Sequence, residues 1–222
     1  MHYATDANRH GLRHDPFKAL VVPRPIGWIA TVDAGGRRNL APYSFFNAVS
    51  DRPPVVLFSS AGRKDTVRNI EQTGEFTCSL ATWDLRDAMN MSSAAVAPEV
   101  DEFALAGLEP APSLYVKPPR VAGSPAAFEC RHWKTVELPG LPGREHLAYS
   151  VVFGLVVGIY IDETFIRDGI VDTAAMRPLA RLGYMDYSVV TPETVFSLNR
   201  PQVDGDGRGA RVDGGAWDGV YR

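Results

Sequence analysis

The chain has 222 residues, of which 45% are hydrophobic and 22% are charged, and its formal net charge is −3. This composition supplies enough apolar material for a core and excludes a mainly disordered chain, while the nearly balanced charge argues against a nucleic-acid-binding protein. No apolar run approaches the roughly 18 residues that a membrane helix needs, so no membrane association is expected.

The first part of the chain, residues 1–16, is polar and predicts an extended N-terminal arm. Its start has neither the cationic residues nor the apolar stretch of a signal peptide, so we expect a cytoplasmic protein. His10 and His14 have the spacing of one helical turn, but Gly11 and Pro16 disfavour the helix that would align them. We therefore expect no metal site.

Short apolar runs bounded by turn signals predict the strands. They lie at residues 26–32, 39–46, 55–58, 76–81, 126–133 and 147–162. Residues 64–73 predict a helix, which Asp65 or Thr66 can cap and Gly74 ends. Shorter helices are predicted at 85–91 and 102–106, and a partly helical segment at 177–187.

Short strands joined by only short helices indicate a mainly β fold, namely a β-barrel with helical insertions. We assign residues 17–202 to this domain and the Gly- and Asp-rich residues 203–222 to a loose tail. The strand at 147–162 is apolar on both faces, which predicts burial of both and an obligate dimer. Gly154 and Gly158 share one face, where close packing of a flat ligand or a partner segment is expected.

The two cysteines, Cys78 and Cys130, lie in apolar strand-like segments. Two buried thiols in a reducing compartment are therefore favoured over a disulfide. The usual nucleotide-binding and nucleophile motifs are missing. The glycines of residues 205–209 neither follow a strand nor open a helix, and neither a P-loop nor a G-x-S-x-G elbow occurs.

The loop from Ser59 to Thr66 has the residue types of a phosphate-binding site. Its small residues let the backbone approach an anion, Arg63 and Lys64 supply charge, and a helix begins just after it. Asp65 counts against this interpretation unless its carboxylate caps the helix. The structural alternative is a capped, solvated turn.

The segment 39–47 alternates small polar and aromatic residues on one predicted strand. Such a strand can lay its backbone groups along the edge of a flat heteroaromatic ring, with side-chain contacts from Ser44 and Asn47. The structural alternative is an edge strand with a bulge at Pro42.

Three segments in order, PRPIGWIAT, NLAPYSFFN and PPVVLFSSAGRKDT, together with later motifs to about residue 201, resemble the flavin reductase-like family. The resemblance implies the FMN-binding split barrel, a Greek-key-like β-barrel. It also implies a homodimer that holds FMN, with FAD as an alternative, near the subunit interface. Many members reduce flavin with NAD(P)H for a partner monooxygenase. The alternatives are a flavoredoxin-type electron carrier and a non-catalytic flavin-binding module.

The resemblance also assigns cofactor-binding residues. Those implied to contact the phosphate are Ser59, Lys64 and Thr66, with Arg24 or Arg63. Those implied to contact the ring are Ala41, Ser44, Phe45 and Asn47, with Thr31 on the adjoining strand and with Asn90 and Ser92 from a later loop. The family pattern carries an acid and a histidine where this chain has Leu155 and Tyr160. Tyr160 is therefore a candidate contact on the nicotinamide side, and the loss of histidine bears on nicotinamide handling more than on flavin binding.

Overall fold

The computed structural model describes residues 1–140, 142–212, 214–215, 217 and 219. Contacts within the chain define two compact units, Met1–Val190 and Thr191–Arg222. The division of the sequence at residue 203 stays a prediction. Within that predicted tail, residues 213, 216, 218 and 220–222 lie outside the described residues.

Short strands and four short α-helices make up the described chain. The strands are β1 (Arg24–Pro25), β2 (Gly27–Val32), β3 (Arg38–Tyr43), β4 (Phe46–Asp51), β5 (Pro54–Ala61), β6 (Glu75–Leu80), β7 (Pro110–Ala111), β8 (Arg120–Val121), β9 (Ala126–Leu138), β10 (Tyr149–Ile161), β11 (Ile166–Arg167), β12 (Ile170–Val171), β13 (Leu179–Arg181), β14 (Tyr187–Val189), β15 (Gln202–Val203) and β16 (Ala210–Arg211). The α-helices are α1 (Phe17–Leu20), α2 (Asp65–Thr73), α3 (Arg86–Met91) and α4 (Glu102–Leu105). Single 3₁₀ turns occupy Trp83–Leu85, Glu145–Leu147, Glu163–Phe165 and Pro192–Thr194.

An antiparallel sheet of seven strands dominates the larger unit, in the order β3-β2-β6-β9-β10-β5-β4. Its two edge strands, β3 and β4, are consecutive in the chain, and the backbone N–H of Ser59 donates to the carbonyl of Phe45 in their connection at 2.8 Å. The rings of Tyr43 and Phe58 pack with centroids 4.6 Å apart across the same end. The sheet therefore curls on itself. Among the described residues no ladder joins β3 to β4, so the barrel is split, and the mainly β prediction is confirmed.

The core lies on both faces of the central strands. Inside the curl, α2 contributes Val67 and Ile70, which pack with Phe76 and are fully buried. The opposite face buries a second cluster around Trp28 and Phe103. Because neighbouring side chains on a strand point to opposite faces, β2 serves both clusters.

Cys78 and Cys130 lie in the first of these clusters, the one inside the curl. Both thiols are free and buried, so the prediction of two buried thiols is confirmed.

The strand β10 matches its prediction in extent, but its surroundings differ. A Cβ at Gly154 would lie 2.2 Å from the ring of Phe76, and one at Gly158 would lie 2.4 Å from the ring of Tyr115. The room expected there for a flat ligand is therefore filled by the chain's own aromatic rings. The opposite face, with Phe153, is only half buried within one chain, and its burial in a dimer stays a prediction.

The segment predicted as partly helical at 177–187 is a β-hairpin instead. β13 pairs with β14 on one side and with β1 on the other. Tyr184 has a φ of 53° in the connecting turn, and a hydrogen bond from Asp186 N to Gly183 O at 3.0 Å closes it. Pairing with β1, which is distant in sequence, outweighs the local helical pattern.

The smaller unit, Thr191–Arg222, contains the β15–β16 hairpin. A hydrogen bond from Gly207 N to Asp204 O at 2.9 Å closes its turn. Across the described part of the whole chain, no helix combines the length and the apolar character needed to cross a membrane.

Candidate functional site

A cavity of about 640 Å³ opens beside the edge strand β3. One wall is β3 with the connection to β4, and a second is the loop from β5 into α2. The segment after α3, which contains Ser92 and Ala95, forms a third wall, and Lys18 of α1 and Tyr149 of β10 complete the rim. The two sequence segments singled out for ligand contacts, 39–47 and 59–66, thus meet at one cavity.

The N-terminus of α2 forms one end of this cavity. The helix begins at Asp65, its N-cap is Lys64, and no side chain of the described residues caps it. Asp65 pairs with Arg68 instead, and the hydroxyl of Thr66 accepts a hydrogen bond of 3.0 Å from Asn39. The prediction that Asp65 or Thr66 caps the helix is therefore wrong. The first-turn N–H groups are left without a side-chain acceptor, which favours an anion beside them.

The cations at this end differ in how they are engaged. Arg63 forms an ion pair with Glu71 and lies 3.5 Å from Glu137. Lys64 is exposed and makes no ion pair among the described residues, and the same holds for Lys18 on the rim. Lys64 is therefore the cation at the helix terminus that a ligand can engage without breaking an ion pair.

Two buried acidic groups line the floor of the cavity. Burial raises the pKa of Tyr43, whose hydroxyl also interacts with the hydroxyls of Thr66 and Ser60. Glu102 accepts a hydrogen bond of 3.0 Å from the N–H of Leu40, and burial raises its pKa. The Tyr43 hydroxyl therefore stays protonated at neutral pH, and the floor offers hydroxyl groups beside the Glu102 carboxyl group.

A further part of the cavity lining is aromatic and contains small residues. The rings of Phe45 and Tyr149 lie roughly parallel, with centroids 6.2 Å apart and an interplanar angle of 28°. Ala41 and Ser44 are the neighbouring positions that line the cavity. Such a surface suits a flat, partly polar ring system.

Eight of the twelve sequence-predicted binding residues line this cavity. They are Ala41, Ser44, Phe45, Ser59, Arg63, Lys64, Thr66 and Ser92. The remaining four, and the candidate nicotinamide contact, lie outside its lining. They are Arg24, Thr31, Asn47, Asn90 and Tyr160.

Arg24 is 6% exposed and its guanidinium is occupied by backbone carbonyls. It donates to Lys18 O and Val21 O, both at 2.6 Å, and to Leu182 O at 2.9 Å. Burial lowers its pKa, and its Nε has no partner. Arg24 therefore fixes the α1 segment, which carries Lys18 to the rim, and its guanidinium carbon lies 5.8 Å from the ring centroid of the lining residue Phe45.

Three other predicted residues have structural surroundings. Thr31 is fully buried and accepts a hydrogen bond of 3.0 Å from Asn69. The amide of Asn47 is exposed on β4 and accepts from Ala48 N at 2.9 Å. Asn90 is exposed at the end of α3. Thr31 thus belongs to the core, and the other two are exposed positions outside the cavity lining.

Tyr160 lies under a cation rather than beside the cavity. The guanidinium carbon of Arg120 is 3.5 Å from the centroid of its ring, a cation–π contact. The lining also includes residues that the sequence did not single out, among them Lys18, Glu102 and Tyr149. They come from elements far apart in the chain, and no local motif marks them.

Comparison with known proteins agrees with this architecture. The family model for the flavin reductase like domain matches residues 19–179. An uncharacterized protein of Deinococcus radiodurans is 37% identical over 211 residues, which are 90% of this chain and 89% of that protein.

Two solved structures extend the comparison. Nitrilotriacetate monooxygenase component B from Bacillus cereus has 30% identity and a TM-score of 0.76, with 85% of this chain and 95% of that chain covered. The 2-nitrobenzoate 2-nitroreductase NbaA of Pseudomonas fluorescens has 25% identity and a TM-score of 0.77, with 90% and 96% covered. With its split barrel and its match over most of its length, the chain belongs to the flavin reductase-like family.

Proposed function

We propose that the cavity binds FMN and that the protein is an NAD(P)H-dependent flavin reductase that supplies reduced flavin to a partner monooxygenase. The observation that carries the proposal is the uncapped N-terminus of α2, which faces the cavity with Lys64 beside it. A helix N-terminus and an unpaired ammonium group together favour a phosphate. Ser59 adds a hydroxyl at the same end.

The aromatic part of the lining fits a flavin ring. Phe45 and Tyr149 offer aromatic surface, and β3 offers the backbone groups of an edge strand. The volume of about 640 Å³ falls within the range of cofactor sites, about 300–1,000 Å³. An anion-favouring helix terminus and an aromatic surface in one cavity match the two chemically different parts of FMN.

A bound flavin would supply the redox chemistry of the site, namely acceptance of a hydride from a nicotinamide. The chain's own residues bind and orient. Lys64 and the first turn of α2 hold the phosphate, and the β3 backbone with Ser44 sets the ring edge. The buried Tyr43 and Thr66 hydroxyls, which also line the cavity, form the polar floor beneath.

The reductase role is supported by the family and by the likeness to nitrilotriacetate monooxygenase component B, which its name describes as one component of a monooxygenase. The test begins with FMN binding to the purified protein, which is measured by titration of the FMN fluorescence. NADH and NADPH oxidation is then measured with and without added FMN. Turnover with free flavin supports a reductase. Stoichiometric reduction without turnover indicates an electron carrier, and binding without reduction indicates a binding module.

We propose further that two copies associate through the half-exposed face of β10. Val151, Phe153 and Leu155 lie on this face, and Leu57 of β5 pairs with Phe153 on it. An apolar face of this kind is commonly covered by a partner. Tyr149 shares the face and lines the cavity, so a second copy seated there would adjoin the proposed flavin site. Sedimentation at low micromolar concentration tests this, and a stable monomer would contradict it.

A further inference from the structure

A second cavity, of about 170 Å³, adjoins the main one. The two cavities share four lining residues, Asn39, Asp65, Arg68 and Pro98. Arg37 and Arg38 join Arg68 in its lining, and we call it the arginine groove. The groove begins at the first turn of α2, which also borders the main cavity.

Local structure brings the three arginines together. Arg37 closes the turn before β3, where Asp33 accepts hydrogen bonds from Gly35 N at 2.8 Å and from Arg37 N at 2.9 Å. Arg38 is the first residue of β3, and Arg68 lies one turn into α2. The groove is therefore a rigid junction between a hairpin turn and a helix.

Each arginine has a carboxylate partner but keeps donors to spare. Arg37 uses its Nε on Asp33 at 2.7 Å, and Arg38 uses Nε and Nη2 on Asp101. Within the described chain, neither terminal nitrogen of Arg37, nor Nη1 of Arg38, makes a hydrogen bond. A guanidinium carries five N–H donors, so one carboxylate does not satisfy it.

The unused donors of the lining favour an anion. Three arginines lie beside three aspartates, because Asp33 and Asp65 line the groove and Asp101, the partner of Arg38, lies just outside it. Hydrogen bonds from Arg37 hold the pKa of Asp33 below its usual range. Guanidinium groups whose neighbouring N–H donors are not yet used in hydrogen bonds are suited to binding phosphate.

We propose that the arginine groove binds a second phosphate, one beyond the phosphate of the flavin in the main cavity. That the main cavity holds a flavin rests on the proposed function above. Asp65 and Arg68 line both cavities, so a ligand that reaches the first turn of α2 can extend into the groove. The chemistry is that of a phosphate group carried either by the diphosphate of FAD or by the 2′-phosphate of NADPH.

Opposed substitutions at one ion pair test the proposal. Arg37→Gln removes a cation that is 59% exposed, whereas Asp33→Asn frees that cation and keeps an oxygen that can accept from the turn N–H groups. Arg167→Gln is the matched control, because Arg167 also pairs through its Nε with an aspartate, Asp172, in a different hairpin. Dissociation constants for FMN and FAD are measured by calorimetry, and KM values for NADH and NADPH by turnover.

We expect Arg37→Gln to weaken binding of the ligand that carries the second phosphate about fivefold, and Asp33→Asn to strengthen that binding. The dissociation constant of FMN and the KM of NADH should not change. A change in FAD alone identifies the diphosphate, and a change in NADPH alone identifies the 2′-phosphate. Equal losses for FMN and FAD, or no difference from Arg167→Gln with any ligand, would overturn the proposal.

Failure of the proposed function is a separate outcome. If wild-type protein does not bind FMN, the flavin site is wrong, and inorganic pyrophosphate then probes the groove by itself. Weaker pyrophosphate binding by Arg37→Gln than by the Arg167→Gln control would still support the groove. Equal binding by the two variants would overturn it.

Discussion

The indole nitrogen of Trp28 donates a hydrogen bond of 2.9 Å to the hydroxyl oxygen of Ser92. Ser92 in turn donates to the carbonyl of Met89 at 2.8 Å. Trp28 is fully buried and Ser92 is 2% exposed, so neither group has water as a substitute partner. This relay fastens one wall of the cavity to the central strand β2.

Replacing Ser92 with alanine should therefore destabilise the fold more than it weakens ligand binding. A buried indole N–H left unpaired costs about 1–3 kcal/mol. Urea unfolding monitored by Trp fluorescence measures the change. Ser93→Ala is the control, because its hydroxyl bonds to Asn90 O at an exposed position. Equal stabilities of the two variants would contradict the role assigned to the relay.

Lys64→Gln should weaken FMN binding about tenfold, since it removes one charge-assisted hydrogen bond to the phosphate. Riboflavin, which has no phosphate, should bind the variant and the wild type equally. Fluorescence titration with both ligands gives the comparison. Lys117→Gln, which changes another exposed lysine, is the control. A riboflavin affinity that falls in parallel with that of FMN would show that Lys64 acts on the fold and not on the phosphate.

The buried thiols should make stability decline in alkali. Burial raises the pKa of Cys78 to about 12. The unfolded chain loses this proton near pH 8.5 and the folded chain keeps it, so stability is fully present below pH 8.5. Above that pH the free energy of unfolding should fall by about 1.4 kcal/mol per pH unit for this thiol.

Urea denaturation between pH 8 and 10.5 measures this slope. Cys78→Ser removes one of the two buried thiols and should make the decline shallower by about 1.4 kcal/mol per pH unit, while Cys130, whose pKa burial also raises, still contributes. In the native protein at pH 8, neither thiol should react with a disulfide reagent, and both should react after unfolding. Rapid labelling of the folded protein would contradict the burial of Cys78 and Cys130.

Phe153→Glu should convert the proposed dimer to a monomer, because it places a charge on the half-exposed face of β10. Sedimentation velocity distinguishes the two species. Ile170→Glu introduces the same charge at an exposed position on β12 and should leave the assembly intact. A Phe153→Glu variant that remains dimeric would place the interface elsewhere.

Much of the strand pattern is readable from the sequence, because alternation and turn residues are local signals. The strand β10, the helix α2 and the two walls of the cavity follow from such signals. The hairpin β13–β14 does not, because its partner β1 lies more than a hundred residues away.

Local sequence patterns also do not predict which charged side chains are already held in hydrogen bonds or ion pairs. Arg24 and Arg63 have the residue type of phosphate ligands, yet Arg24 is bound to three carbonyls and Arg63 to glutamates. Their partners, Leu182 and Glu137 among them, are brought near only by the fold. Lys18 and Tyr149 reach the cavity for the same reason, without any motif that marks them.

The edge strand β3 has a consequence for the behaviour of the protein at high concentration. Exposed sheet edges recruit strands from other molecules through their free N–H and C=O groups, which promotes aggregation. On β3, Leu40 gives its N–H to the buried Glu102, and Pro42 has none to give. An incoming strand would find neither donor, so the border of the cavity stays open to small molecules while it resists capture by another polypeptide.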